Sequence, residues 1–174
     1  MTSLLSGPEG VTAGPDGALW FTATSNSIAR MTTIGAYTGN AIPTAQSGPY
    51  GIVSGPDGAL WFTEFGNPIG CIGCTPQIFP NLISKIGRIT TAGAFTEFTT
   101  PTANSGPQGI TSGPDGALWF AESLGNKIGR ITTAGAFTEY PVPTSGGAPD
   151  GITSGPDGAL WFTEYGGNKI GRLR

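Results

Sequence analysis

Three glutamates stand at the same place in a repeated string. Glu64 and Glu164 close Trp-Phe-Thr-Glu, and Glu122 closes Trp-Phe-Ala-Glu; the first copy of the string ends at Ala23 instead. A second set fills the variable position of Pro-x-Gly, where x is Glu9, Tyr50, Gln108 and Asp150 in turn. Carboxylates of this sort offer oxygen ligands that suit Mg²⁺ or Ca²⁺, and a carboxylate in a cleft can act as a general base. Two simpler readings stand beside that one. Each strand glutamate can pair with a basic residue recurring in step with it: Lys85, Lys127 and Lys169, or Arg88, Arg130 and Arg172. The x position can be a solvated loop site that drifts freely. Cys71 and Cys74 form a Cys-x-x-Cys pair, and the chain holds no histidine. Two thiolates fall short of a zinc site, so a short disulfide stiffening its loop is the expectation for an oxidising compartment.

These residues are placed by an internal repeat. The octet Gly-Pro-Asp-Gly-Ala-Leu-Trp-Phe occurs four times unchanged, starting at Gly14, Gly55, Gly113 and Gly155. The starts lie 41, 58 and 42 residues apart, and an insertion of 16 (58 − 42) accounts for the long interval. A period near 42 with several short strands per unit is the mark of propeller blades. In the third copy, 109–113 reads as strand A and 113–116 as a turn. Strand B follows at 117–122, strand C at 127–133 and strand D at 136–142. Residues 143–151 cross to the next unit. Along strand B, Ala117, Trp119 and Ala121 alternate with Leu118, Phe120 and Glu122. Both faces carry apolar bulk, so both must be covered, as in a blade flanked by blades.

The expected architecture is all-β, with four antiparallel four-stranded blades of about 42 residues in one domain, 1–174. The blades span about 6–46, 47–104 with an insertion at 68–84, 105–147, and 148–174 completed by 1–5. The last unit stops in strand C, and the N-terminal Met-Thr-Ser-Leu-Leu can supply the missing strand D. The ring then closes within one chain, or between two chains as an eight-bladed homodimer by strand exchange. Loops alternate between two ends of such blades. The A–B and C–D turns are nearly constant, whereas the D–A crossings and B–C loops vary, and the x residues and strand B glutamates fall at that variable end.

Composition narrows the function classes. Charged residues are 11% of the chain, against about a quarter in an average domain. The net charge of −3 and the lack of a basic patch exclude a nucleic-acid partner. No apolar run reaches the ~18 residues of a membrane-spanning helix. The N-terminus has no signal-peptide pattern, and both bacterial cytoplasm and secretion stay open as compartments.

The strings Gly-Pro-Asp-Gly-Ala-Leu-Trp-Phe-Thr-Glu (155–164), Asn-Lys-Ile-Gly-Arg-Ile-Thr (126–132) and Thr-Glu-Tyr-Pro-Val-Pro-Thr (138–144) resemble the blade repeat of the streptogramin B lyase, or virginiamycin B lyase, family. The resemblance runs from Gly7 to Arg172. It implies a seven-bladed propeller that linearises a cyclic depsipeptide by elimination, with a histidine base and a magnesium ion near glutamates at the ring centre. The absent histidine and the four repeats instead point to a ligand- or partner-binding, self-assembling scaffold without lyase chemistry. A carboxylate-based lyase with a divalent metal is the alternative. The expected ligand site comprises Glu9, Tyr50, Gln108, Asp150, Glu64, Glu122 and Glu164, open to a small molecule or peptide.

Overall fold

The computed structural model describes residues 7–66 and 84–174. The first blade is β1 (Pro8–Ala13), β2 (Leu19–Ala23), β3 (Ser27–Met31) and β4 (Tyr37–Ala41). The second is β5 (Pro49–Ser54), β6 (Leu60–Glu64), β7 (Lys85–Ile89) and β8 (Phe95–Thr99). The third is β9 (Pro107–Ser112), β10 (Leu118–Glu122), β11 (Lys127–Ile131) and β12 (Phe137–Pro141). The fourth is β13 (Pro149–Ser154), β14 (Leu160–Glu164) and β15 (Lys169–Leu173). Every sheet is an antiparallel meander in chain order, and the fourth has three strands among the described residues. The proposed completion of that blade by residues 1–5 lies outside the described residues. So does nearly all of the insertion, with Cys71 and Cys74.

The octet forms because its turn and its strand hold each other. The glycine at Gly17, Gly58, Gly116 and Gly158 takes a left-handed φ of 71–75°, which an L side chain rarely adopts. The aspartate before it turns back on its own strand B. Asp115 Oδ1 accepts the indole N–H of Trp119 at 3.0 Å and the backbone N–H of Ala117 at 3.3 Å. The second oxygen, Oδ2, accepts from Arg130 Nε at 2.7 Å, and that guanidinium lies 5.7 Å from the indole centroid. The same set recurs at Asp57, Trp61 and Arg88, and at Asp157, Trp161 and Arg172. A Cβ on Gly113 would come within 2.3 Å of the Trp119 ring, so the first residue of the octet is held to glycine as well.

This arrangement corrects the expected ion pairs. The strand C arginines bind the turn aspartates, not the strand B glutamates. The lysines turn to strand D: Lys127 Nζ lies 2.7 Å from Glu139 Oε2, and Lys85 lies 3.7 Å from Glu97. At Asp16, Asp57 and Asp115 burial works to raise the pKa. The indole N–H and the arginine outweigh it and hold these carboxyls below their usual range.

The blades stack through one seam used three times. Trp20 of the first blade clusters with Ile52, Leu60 and Phe62 of the second. Trp61 clusters with Ile110, Leu118 and Phe120 of the third. Trp119 clusters with Leu160 and Phe162 of the fourth, with Ile152 packed alongside. Each blade thus has a trailing face, led by its tryptophan, and a leading face, led by its Leu and Phe. The alternation read from strand B sets this two-sided pattern. Phe62 and Phe120 each lie over a strand C glycine, Gly87 or Gly129, where a Cβ would approach within 2.2 Å. The fourth tryptophan departs from its copies. Trp161 is 37% exposed, against 1%, 0% and 8% for Trp20, Trp61 and Trp119, because among the described residues no strand packs on the trailing face of the fourth blade.

Trp119→Ala should cost ~3–5 kcal/mol in urea unfolding. Trp161→Ala, measured in dilute protein, should cost under about 2 kcal/mol, because much of its ring is already wet.

Candidate functional site

Strand A begins two residues earlier than the sequence suggests, so the variable x residue lies within the strand and not in the loop before it. A bulge follows immediately. In the second blade Pro49 pairs with Glu64 and Ile52 with Phe62, so Tyr50 and Gly51 together face Thr63 alone. The same shift occurs in the other three blades. A bulge of this kind re-aims the side chain it carries.

Neighbouring blades fix the backbone around the bulge. Thr22 Oγ1 accepts the N–H of Gly10 at 2.9 Å and donates to the carbonyl of Tyr50 in the next blade at 2.7 Å. Thr63 does the same for Gly51 and for the Gln108 carbonyl, at 2.9 and 2.6 Å. That carbonyl lies against the glycine. A Cβ on Gly10, Gly51 or Gly109 would sit 2.5–2.6 Å from the oxygen of Tyr50, Gln108 or Asp150. The glycine is therefore constant because the next strand A rests on it. The residue before it is free to vary because its side chain projects away from that contact.

Three of the four x residues meet at one pocket. Glu9, Tyr50 and Gln108 line a cavity of about 290 Å³ with Thr24, Pro49 and Phe65. The fourth, Asp150, lines a separate open cleft of about 600 Å³ on the last blade with Glu164, Tyr165 and Lys169. Tyr50 is 42% exposed, so its phenol is presented to an incoming group. Phe65 and Thr24 were not singled out in the sequence. Their signal was positional: each lies just past strand B at the end where the loops vary.

Glu64 and Glu122 are placed differently from the x residues. They end their strands at the same end of the blade, yet both are fully buried and neither lines this pocket. Among the described residues, the carboxylate oxygens of Glu64 and Glu122 meet no well-formed hydrogen bond; Glu97 is the polar side chain facing the first and Ser105 the one facing the second. Burial raises the Glu64 pKa to about 8; the Glu97 charge adds to the rise and Lys85 opposes it. Burial raises Glu122 to about 7. The Ser105 hydroxyl, itself 3.2 Å from the Thr100 hydroxyl, and Lys127 ease that rise, while Glu139 adds to it. Near pH 7 Glu64 therefore largely keeps its proton, while Glu122 is about half protonated.

A divalent ion needs ionised ligands gathered together. Among the described residues no three His, Cys, Asp or Glu side chains lie close enough to hold one. The described residues therefore offer no ready-made ligand set for the magnesium implied by the resemblance.

The family model of the virginiamycin B lyase family matches residues 2–81 and 80–174. The chain belongs to the virginiamycin B lyase family. A solved structure of a catalytically inactive histidine-to-alanine variant of virginiamycin B lyase from Staphylococcus aureus, with quinupristin, is 48% identical over 96% of this chain at a TM-score of 0.85. A streptogramin B lyase structure is 44% identical over 97% of the chain, also at 0.85. The chain spans 52% of the length of each. A structure described as a putative gluconolactonase shares the fold at 18% identity and a TM-score of 0.69. No curated protein matches the sequence.

The buried glutamates give a pH signature. Unfolded, they titrate near 4.5; folded, they hold the proton to about 8 and about 7. The folded state binds more protons across that window. This stability is complete below pH 4.5 and is lost as pH rises through 7 and 8. Glu64→Gln should raise stability by on the order of 2 kcal/mol at about pH 8.5 and leave it unchanged near pH 4. Melting curves at the two pH values check this.

Proposed function

We propose that these blades form a ligand-binding face of a virginiamycin B lyase-like propeller and bind without carrying out the elimination themselves. One observation carries the reading: the bulge presents Glu9, Tyr50 and Gln108 to one pocket, at the only residue of Pro-x-Gly that changes between copies. Pockets that recognise small organic ligands combine an aromatic wall with a few convergent polar groups. Tyr50 and Phe65 supply the wall; Glu9 and Gln108 supply an acceptor and an amide. The absence of histidine from all 174 residues supports binding without a histidine base. The related lyase is described as catalytically inactive once a histidine is changed to alanine. The ligand class proposed is a cyclic peptide of the streptogramin type, on the strength of 48% identity to a lyase solved with quinupristin.

Titration of the chain with a cyclic streptogramin, followed by calorimetry and by chromatography of the peptide, tests this. Saturable binding with the ring intact is expected, and Tyr50→Ala should weaken it by roughly ten-fold, or ~1.4 kcal/mol. Ring opening that a chelator abolishes would replace this reading with the metal-dependent lyase.

A further inference from the structure

The last blade carries a binding seat identical in design to those of the first two blades. In the first two blades a glycine and a threonine hold the strand A carbonyl of the next blade: Gly10 and Thr22 hold Tyr50, and Gly51 and Thr63 hold Gln108. The equivalent pair in the fourth blade is Gly151 and Thr163. The Gly151 N–H reaches Thr163 Oγ1 at 2.9 Å, as in the other two. Among the described residues no carbonyl rests on Gly151, whose nearest neighbour beyond its own stretch of chain is Thr163 Oγ1. Thr163 is exposed, whereas Thr22 and Thr63 are completely buried. Around this seat the trailing face displays Trp161 and Ile170, the residues whose counterparts Trp20 and Ile28 fill the first seam.

The opposite end of the chain displays what the seat holds elsewhere. On the leading face of the first blade, Val11 is 65% and Leu19 48% exposed. Their counterparts in the second blade, Ile52 and Leu60, are buried against Trp20. Glu9, whose carbonyl corresponds to those of Tyr50 and Gln108, stands beside them.

We propose that the trailing face of the fourth blade binds the leading face of the first blade of a second copy of this chain, with the Glu9 carbonyl of the copy on Gly151 and Thr163. The three internal seams show what covers each face. The chain superposes on 52% of a lyase chain at a TM-score of 0.85, so one copy sweeps about half of that fold, and a head-to-tail pair that turns through the rest closes on itself. Pairing also sets Asp150 beside the Glu9 of the copy, and so continues the series of x residues across the seam.

The seam between copies lacks ties that the internal seams have. Ser112 and Ser154 each donate to the backbone of the preceding blade, to Ser54 O and Ser112 O at 2.7 Å, and Ser54 donates to Ala13 O. The first blade has Ala13 at the serine position. It also has Ser27 and Gly39 where Lys127 and Glu139 clasp Thr102 of the preceding crossing. The pair is therefore reversible, held mainly by apolar surface.

Light scattering across a concentration series tests this. The expected mass rises from 17.7 kDa to twice that value and stops there. Val11→Arg should keep the chain at 17.7 kDa with an unchanged circular dichroism spectrum, since Val11 packs little within its own chain. Ala13→Ser should tighten the pair several-fold by adding a donor to Ser154 O. A single 17.7 kDa species at every concentration would overturn the proposal. So would an unlimited series of larger species, a Val11→Arg variant that still pairs, or an Ala13→Ser variant with unchanged affinity.

Discussion

The indole of each strand B tryptophan is held by two charged neighbours. The aspartate of the preceding turn accepts its N–H, and the arginine of strand C binds that aspartate; in the last three blades the arginine also lies over the ring face. A tryptophan fixed in this way presents a rigid plate to the next blade. The next blade answers with Leu, Phe and an Ile at fixed positions. Each exposed ion pair contributes at most about 1 kcal/mol on its own. Their value here is orientation: they let the large apolar area of the indole be buried in one geometry, and that geometry works at every seam. The unchanging octet is the covalent record of this unit, from the glycine that admits the indole to the phenylalanine that meets the preceding blade.

Variation is confined by the same contacts. The next strand A rests its carbonyl on Gly10, Gly51 or Gly109, so that glycine cannot change. The residue just before it contributes a carbonyl to the seam and a side chain to the mouth. Its backbone is structural and its side chain is not. A repeat protein can therefore build a binding surface one residue per blade while every packing contact is conserved. The bulge makes the separation possible, because it turns the x side chain out of the alternation that would otherwise commit it to a seam.

Much of this was legible in the sequence. The period, the four-strand meander and the two-faced strand B all follow from residue types and spacing. The partners of the charged residues did not. Lys127 and Arg130 recur in step with Glu122, and spacing alone cannot tell that Arg130 turns to Asp115 and Lys127 to Glu139. Burial of Glu64 and Glu122 was also hidden, since a carboxylate at a strand end ordinarily reaches water. The bulge shifted the start of strand A because a Pro-x-Gly string reads as a turn, while the hydrogen bond from Gly51 to Thr63 that draws it into the sheet is a tertiary fact. Gathering of three x residues, with Asp150 apart, depends on the curvature of the stack, which no local pattern encodes.

The account rests on the aspartate and the tryptophan acting as one unit, and a double-mutant cycle measures that directly. Asp115→Ala removes the acceptor, and Trp119→Phe removes the N–H donor while keeping an aromatic ring. Urea unfolding of both single variants and the double variant gives their coupling. The expected coupling is about 1 kcal/mol or more, within the range for residues in direct contact. Losses that simply add would contradict the account, because the tryptophan would then fill its seam without the aspartate that is argued to hold it there.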